Sequence, residues 1–473
     1  MKTISKTYKI AFFCLLGILG LGSCKKWLDV QPEDKFTKTQ MYQSPEGVKE
    51  LVNGFYLNLG DNQLYGRNLT LTTLEVMAQK FRITSEFNPY YNFSTLKQGE
   101  SNVMNLFSGV WIKMYATIAN INDFVSTLPT VENGMSPEDK NLLIGEAIGL
   151  RAFIHFDLLR LFGPSYGEDT KSIPALPYVK RLSIDIMPYS TSEEYTAQLL
   201  DDIETAKDLL KNDIIRTRNN PSDFRTNKFN YYAVLALEAR VHQWSGNRPA
   251  AKAAADLVIQ AKDTFPWVTH QAITANGSNP DRGFSSEVIF NVFNRDLYEN
   301  QKILFDSNIE ESSILATGPN NYINDVYENM ESDYRYSYSW PLASTGVGFR
   351  TFVKFQDVTD TKLNRRHLIP LIRISEMYYI AAESTDEPAE ALNYLNTVRQ
   401  HRNLLVDVID YSKLDQEITK EYLKEFYGEG QVWYYYKRKR KTDIFSVNVT
   451  SLTKTMTLAD YTIPLPLVET DSR

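Results

Sequence analysis

Two helical patterns joined by a glycine turn narrow the architectures open to this chain. Asn230-Tyr-Tyr-Ala-Val-Leu-Ala-Leu-Glu-Ala-Arg240 runs into Ser245-Gly246-Asn247, and Ala250, Ala251, Ala254 and Ala255 line the returning segment. Small residues at Ala239 and Ala251, on either side of the turn, let two helix backbones approach closely. A second pair, Tyr378 to Ala382 followed by Pro388 to Val398, repeats the arrangement with a shorter turn. Hairpins of this kind stack into curved scaffolds and seldom carry chemistry themselves.

The remaining pattern agrees with a mostly α fold built from tetratricopeptide-like hairpins. Apolar spacing predicts helices over Ser44 to Leu59, Asn102 to Leu128, Pro137 to Phe162, Ser192 to Lys211, Asn227 to Ser245, Arg248 to Asp263, Arg373 to Ser384, Glu387 to His401 and Asp415 to Tyr427. At Ser136-Pro137 a capping residue precedes proline at the first helical position, with Asp139 in the first turn. The scaffold is expected over 37–60, 102–263 and 366–430 of a single domain spanning 37–473. Two stretches of weak periodicity interrupt it, at about 61–101 and 264–365.

The second irregular stretch is rich in Asn, Gly, Ser and aromatic residues. Within Tyr334-Arg-Tyr-Ser-Tyr-Ser-Trp340 the alternation puts Tyr334, Tyr336, Tyr338 and Trp340 on one side if the segment is extended. Long irregular inserts on a helical scaffold are frequent binding surfaces. These four rings are therefore the first candidates for ligand contact, with Tyr65, Tyr90, Tyr91 and Asn92 of the earlier stretch as a second edge. The chain carries 29 Tyr, 24 Phe and 6 Trp, a supply of rings that suits either helix packing or platforms for sugars and peptides.

The N-terminus limits where such a fold would operate. Lys2, Lys6 and Lys9 precede an apolar run from Ile10 to Leu21 and then Leu21-Gly22-Ser23-Cys24, the order of a bacterial lipoprotein export signal. Residues 1–23 are expected to be removed, Cys24 acylated, and 24–36 left as a tether to the lipid bilayer. Cys14 and Cys24 are the two cysteines of the chain, so a mature domain of 37–473 has none to pair and must fold by packing. The formal net charge of -7 becomes -10 without the three signal lysines, which argues against a nucleic-acid partner.

Enzyme chemistry finds little support. His155, His242, His270, His367 and His401 show no close metal-ligand spacing, and the sequence holds no Gly-x-Ser-x-Gly elbow and no phosphate-cradling glycine loop. No catalytic residue, metal or cofactor is expected. Binding is the favoured class, with a structural or adhesion subunit of the cell surface as the alternative. An adhesin would offer an exposed strand edge, and this chain offers mainly helices.

Several pieces in order along the chain resemble the SusD/RagB family of Bacteroidetes surface lipoproteins. They are Gly22-Ser-Cys-Lys-Lys-Trp-Leu-Asp29, Asn120 and Asn122, Gly145 to Gly163, Ala233 to Gly246, Pro370 to Glu383, Leu395-Asn-Thr-Val-Arg399 with Arg402, Glu421 to Gly430, and Ile463-Pro-Leu-Pro466 with Glu469. The resemblance implies a SusD-like helical fold with four such hairpins and irregular inserts as the ligand face. It implies an outer-membrane protein facing the cell exterior, which captures a glycan, or a peptide in RagB-type relatives, beside a SusC-like TonB-dependent transporter. Arg373, Glu376 and Glu383 match the family's Arg-x-Ser-Glu and Ala-Glu pattern and are read as structural. Arg373 and Glu376 are expected to pair along one helix face, and Glu383 to bond a neighbouring hairpin. One departure is the run Lys437, Arg438, Lys439 and Arg440, where the family usually places an arginine soon after the Glu-Gly.

Overall fold

The computed structural model describes residues 37–217, 225–274, 279–319, 322–471 and 473. The expected signal peptide, Cys24 and the tether lie outside the described residues. Helix dominates, at 51% of the described residues against 6% strand.

Capping chemistry sets the helix starts. In α1 (Pro45–Leu59) Ser44 accepts a hydrogen bond from the Gly47 amide, Pro45 occupies the first position, and Val48, Val52, Phe55, Tyr56 and Leu59 form the buried stripe. Next come α2 (Ser101–Thr127) and α3 (Pro137–Phe162), the latter capped by Ser136 through the Asp139 amide. Helix α3 is buried continuously from Ile144 to Phe162 and forms the axis of the core. Its polar side chains are all accounted for internally. Arg151 forks onto Asp202 at 2.9 Å and reaches Asn122 at 2.7 Å, while His155 bonds the Tyr195 hydroxyl at 2.8 Å and stacks on Tyr178.

The row continues through α4 (Ser192–Leu209), α5 (Tyr231–Trp244) and α6 (Arg248–Ile259). The α5–α6 hairpin is the one anticipated from sequence. Asn230 caps α5, Gly246 takes a left-handed φ of +78° at the turn, and Ala239, Ala251 and Ala255 are fully buried between the helices. At Gly149 a Cβ would fall 2.7 Å from the Phe229 ring, so α3 needs glycine there to admit that ring.

After α6 the chain leaves the row and returns as α8 (Ile374–Ser384) and α9 (Pro388–His401), with α7 (Tyr334–Ser339) in the excursion between. Helix α8 packs directly on α6, so the excursion is inserted into an otherwise continuous stack. Two further helices, α10 (Leu414–Glu425) and α11 (Gln431–Arg438), close the domain. Among the described residues the strands are three antiparallel pairs: β1 (Pro174–Leu176) with β2 (Ser190–Thr191), β3 (Val288–Phe293) with β4 (Leu368–Arg373), and β5 (Asp443–Phe445) with β6 (Thr453–Thr455). In the β3–β4 ribbon Val288 faces Arg373 and Phe293 faces Leu368, which joins the two ends of the excursion.

The structure corrects two expectations and gives the basic run its partners. The excursion is more ordered than an irregular insert: it contributes β3, α7 and the short helices Leu297–Phe305 and Tyr322–Val326. Arg373 does not pair with Glu376. It sits at the end of β4, before the helix begins, and its guanidinium points to Glu425 and Glu429, while Glu376 takes Arg240 of α5 at 2.8 Å. The basic run after Gly430 is split among unrelated partners. Lys437 is fully buried and donates to the Leu161 and Gly163 carbonyls at 3.2 and 2.6 Å, Arg438 pairs with Glu383, and Arg440 with Asp169. Glu383 therefore does link helices, bonding Gln243 of α5 as well as Arg438 of α11.

Candidate functional site

A well-formed cavity of about 340 Å³ lies where the excursion meets the β3–β4 ribbon. Its walls come from the loop before β3, from β3 itself, from the helix Leu297–Phe305, and from the segment entering β4.

One wall is a stack around Tyr298. The His367 ring lies 4.4 Å from the Tyr298 ring between centroids, the Arg366 guanidinium covers the same ring at 5.1 Å, and the His367 amide donates to the Tyr298 hydroxyl at 3.2 Å. Arg366 is held in turn by Asp357, with bonds of 2.9 and 3.0 Å from one terminal nitrogen. His367 adopts a left-handed φ of +62°, a conformation that costs a non-glycine residue about 1–2 kcal/mol. Backbone strain of this kind persists where the surroundings over-determine a side chain's position. Burial, reinforced by the Arg366 charge, lowers the His367 pKa, so the imidazole is neutral near pH 7.

Two polar atoms of this wall lack partners. His367 Nδ1 and Asn291 Oδ1 are buried and make no hydrogen bond with any described residue, although Asn291 Nδ2 donates to Thr226 at 3.3 Å. A buried donor or acceptor left unpaired costs about 1–3 kcal/mol. Both residues line the cavity, while the two unpaired atoms are themselves closed off from its open space.

Behind the cavity lies a buried ionic network. Arg402 forks onto Glu287 at 2.9 and 2.6 Å and also bonds Glu425. Arg335 contacts Asp333, Glu421 and Glu425 at 2.6 to 2.9 Å, Arg373 joins Glu425 to Glu429, and Lys354, which also lines the cavity, pairs with Glu429. Arg399 and Lys424 complete the shell around Glu421. Burial alone would raise the Glu421 pKa; the Arg335, Lys424 and Arg399 charges outweigh it and bring it down to about 2. Glu425 is likewise driven well below the ordinary carboxylate range by Arg402 and Arg373 against its burial.

Most of the rings singled out from sequence lie elsewhere. Residues 334–339 form a helix, capped by Asp333 through the Arg335 amide, so residues two apart point to different sides. Trp340 is 0% exposed and packs on Phe352 and Tyr427, and Tyr336 is 3% exposed with its hydroxyl on Asn324. Tyr65 is 3% exposed and donates to Asp157 at 2.8 Å. These three are core side chains and present no ring face, which corrects the reading of them as platforms. Tyr334 and Tyr338, one turn apart, share a half-buried face 6.3 Å between ring centroids. Tyr90, Tyr91 and Asn92 are half-buried on a separate edge, where Tyr91 bonds Glu86 and Asn92 bonds Asn102, and none of them lines the cavity. The two irregular stretches do touch, through Asn88 to the Ser312 carbonyl and the Arg82 amide to the Ala316 carbonyl.

Sequence reasoning did not single out Asn291, Tyr298 or Arg282, and gave His367 no role. The available signal was the cluster Arg365-Arg366-His367 immediately before the apolar run of β4. Among the described residues no group of three or more His, Cys, Asp or Glu side chains is placed to hold a metal ion, and no helix is long and apolar enough to cross a membrane.

Comparison with known proteins adds to this geometry. A family model described as "Starch-binding associating with outer membrane" matches residues 26–242, and one described as "SusD family" matches residues 216–456. A SusD-like protein of Formosa agariphila is 23% identical over 494 residues, covering 92% of this chain and 92% of its own. The solved structure of a SusD superfamily protein from Bacteroides thetaiotaomicron superposes with a TM-score of 0.71 at 20% identity, covering 91% of this chain and 98% of that one. A SusD-like carbohydrate binding protein from Bacteroides vulgatus superposes with a TM-score of 0.65 at 20% identity, covering 87% and 89%. At these identities the structural likeness speaks for the fold.

Proposed function

The chain belongs to the SusD/RagB family of Bacteroidetes outer-membrane proteins, and from that premise we propose that it is a glycan receptor of the cell surface. In this reading it holds an oligosaccharide in the cavity beside Tyr298 and His367 and hands it to a SusC-like TonB-dependent transporter. Cys24, acylated after export, would tether the body over that barrel through residues 24–36 and raise the local concentration of receptor at its mouth.

The observation that carries the proposal is the cavity of about 340 Å³ walled by the Tyr298, His367 and Arg366 stack and by the polar side chain of Asn291. Ring faces pack against the apolar faces of sugars, and amide and imidazole groups exchange hydrogen bonds with hydroxyls. Tyr334 and Tyr338 extend the surface: Arg282, which lines the cavity, donates to the Tyr338 carbonyl at 3.0 Å.

Calorimetry on the anchored protein in detergent, against a panel of plant, algal and host polysaccharides, tests the reading. At least one glycan should bind, and Tyr298→Ala or Asn291→Ala should weaken it about tenfold or more, the equivalent of one or two lost hydrogen bonds or ring contacts. Binding that ignores both substitutions would move the site. Binding of peptides but of no glycan would replace the ligand class. Affinity purification from solubilised outer membranes should bring down a TonB-dependent barrel, and Cys24→Ser should release the protein from the membrane fraction.

A further inference from the structure

The cavity described above holds one arginine whose charge is not answered. Arg282, in the loop just before β3, donates from Nε to the Tyr338 carbonyl at 3.0 Å. Its two terminal nitrogens make no hydrogen bond or ion pair with any described residue.

The neighbouring cations are all engaged. Arg366 is forked onto Asp357, Lys354 pairs with Glu429, and Arg365 donates to the Asn279 carbonyl at 2.6 Å with Asp281 at 4.0 Å. A guanidinium withdrawn from water normally recovers its hydration through a carboxylate, as Arg335, Arg373 and Arg402 do nearby. Arg282 is withdrawn by burial, which brings its pKa down to about 10, and no protein charge opposes that shift. It still carries its full charge near pH 7. The planar fork of donors left open at the cavity matches the geometry of a carboxylate or a sulfate ester.

The geometry points to an acidic saccharide as the ligand, with its oxyanion substituent on the terminal nitrogens of Arg282 and its hydroxyls on Asn291 and His367. This rests on the glycan reading above and narrows it to a substrate class. The excursion supplies the cation and the ribbon supplies the hydroxyl partners, so charge and ring are read by different parts of the chain.

The test uses matched polysaccharide pairs against the anchored full chain: polygalacturonate with its carboxyl-reduced form, and a sulfated galactan with its desulfated form. One acidic member should bind about 10- to 100-fold more tightly than its neutral partner, the range of a hydrogen bond to a charged group. That preference should shrink as salt rises. Which pair shows the preference distinguishes carboxylate from sulfate. Arg282→Gln should abolish the preference, and Arg282→Lys should restore part of it. Equal binding within both pairs, or a preference that survives Arg282→Gln, would overturn the inference. If Tyr298→Ala still weakens the neutral sugars in that case, the glycan site stands and only the acidic class falls. If no saccharide binds and a peptide with a free C-terminal carboxylate does so through Arg282, both readings give way to a peptide receptor.

Discussion

The buried ionic network behind the cavity and the cavity wall use the same kind of side chain in opposite ways. Below, Arg335, Arg373 and Arg402 are each held by two or more acceptors on the carboxylates of Glu425 and its neighbours, in a region with side-chain exposures of 3% or less. Above, Arg282 lines open space with one carbonyl as its partner. Satisfied internally, buried charges determine which surfaces dock: Glu287, Asp333, Arg335 and Lys354 come from the excursion, and Glu421, Glu425 and Glu429 from the end of the scaffold. Left open, a charge determines what enters. The contrast separates groups that hold the insert in register from groups that read a ligand.

The heaviest blow to this contrast would come through Glu425, which touches Arg335, Arg373 and Arg402 together. Glu425→Gln should cost about 3–5 kcal/mol, because three buried cations lose part of their compensation at once. Thermal unfolding measures it, and a loss below about 1 kcal/mol would mean that the network is not what seats the excursion. Acid should produce the next largest effect. The Glu421 pKa is depressed when folded, so its stabilisation is complete above the ordinary value of 4.5 and drains away as pH falls towards about 2. His155 adds a separate loss. Its folded pKa, pushed by burial to about 3 from 6.5, lets the unfolded chain take up the proton first, so stability declines from pH 6.5 downward. His155→Gln should therefore flatten the upper part of a stability-against-pH curve and leave the lower part in place.

Lys354 belongs to both regions, and it sharpens the comparison. Lys354→Met should cost about 1–3 kcal/mol, less than Glu425→Gln, because Glu429 keeps Arg373. Chemical denaturation would register it, and a cost equal to that of Glu425 would show that the two regions are not separable. The smallest change belongs to Arg282→Gln, which breaks no ion pair and should move stability by about 0.5 kcal/mol or less in either direction. A large destabilisation there would recast Arg282 as part of the framework.

Local signals made the scaffold legible. Ser136 caps its helix where its position announced it, and Ala239 and Ala251 lie buried in the hairpin their spacing implied. The site was far less legible, because what matters there is contact between residues remote in the chain. Alternation in 334–340 pointed to a strand, yet Asp333 caps a helical turn and Arg335 is drawn inward to Glu421 and Glu425, which carries Tyr336 and Trp340 into the core. Spacing alone put Arg373 beside Glu376, but the residue ends a strand. Helix α11 was missed because Trp433 to Tyr436 offers no polar face, as befits a segment buried all round. Its entry is set instead by Gly430, whose positive φ and close approach to the Leu69 carbonyl exclude any side chain, while its amide and that of Gly428 hold Glu75.

The β3–β4 ribbon clasps both ends of the intervening segment, so residues 294–367 leave and re-enter the helical stack at one fixed doorway. Such a segment is an exchangeable cassette: relatives could lengthen, shorten or replace it without unpicking the hairpins on either side. The transplant has a compatibility rule. An incoming cassette should bring cations where Arg335 and Lys354 stand, since without them Glu421, Glu425 and Glu429 would be answered by Arg373, Arg399, Arg402 and Lys424 of the host alone.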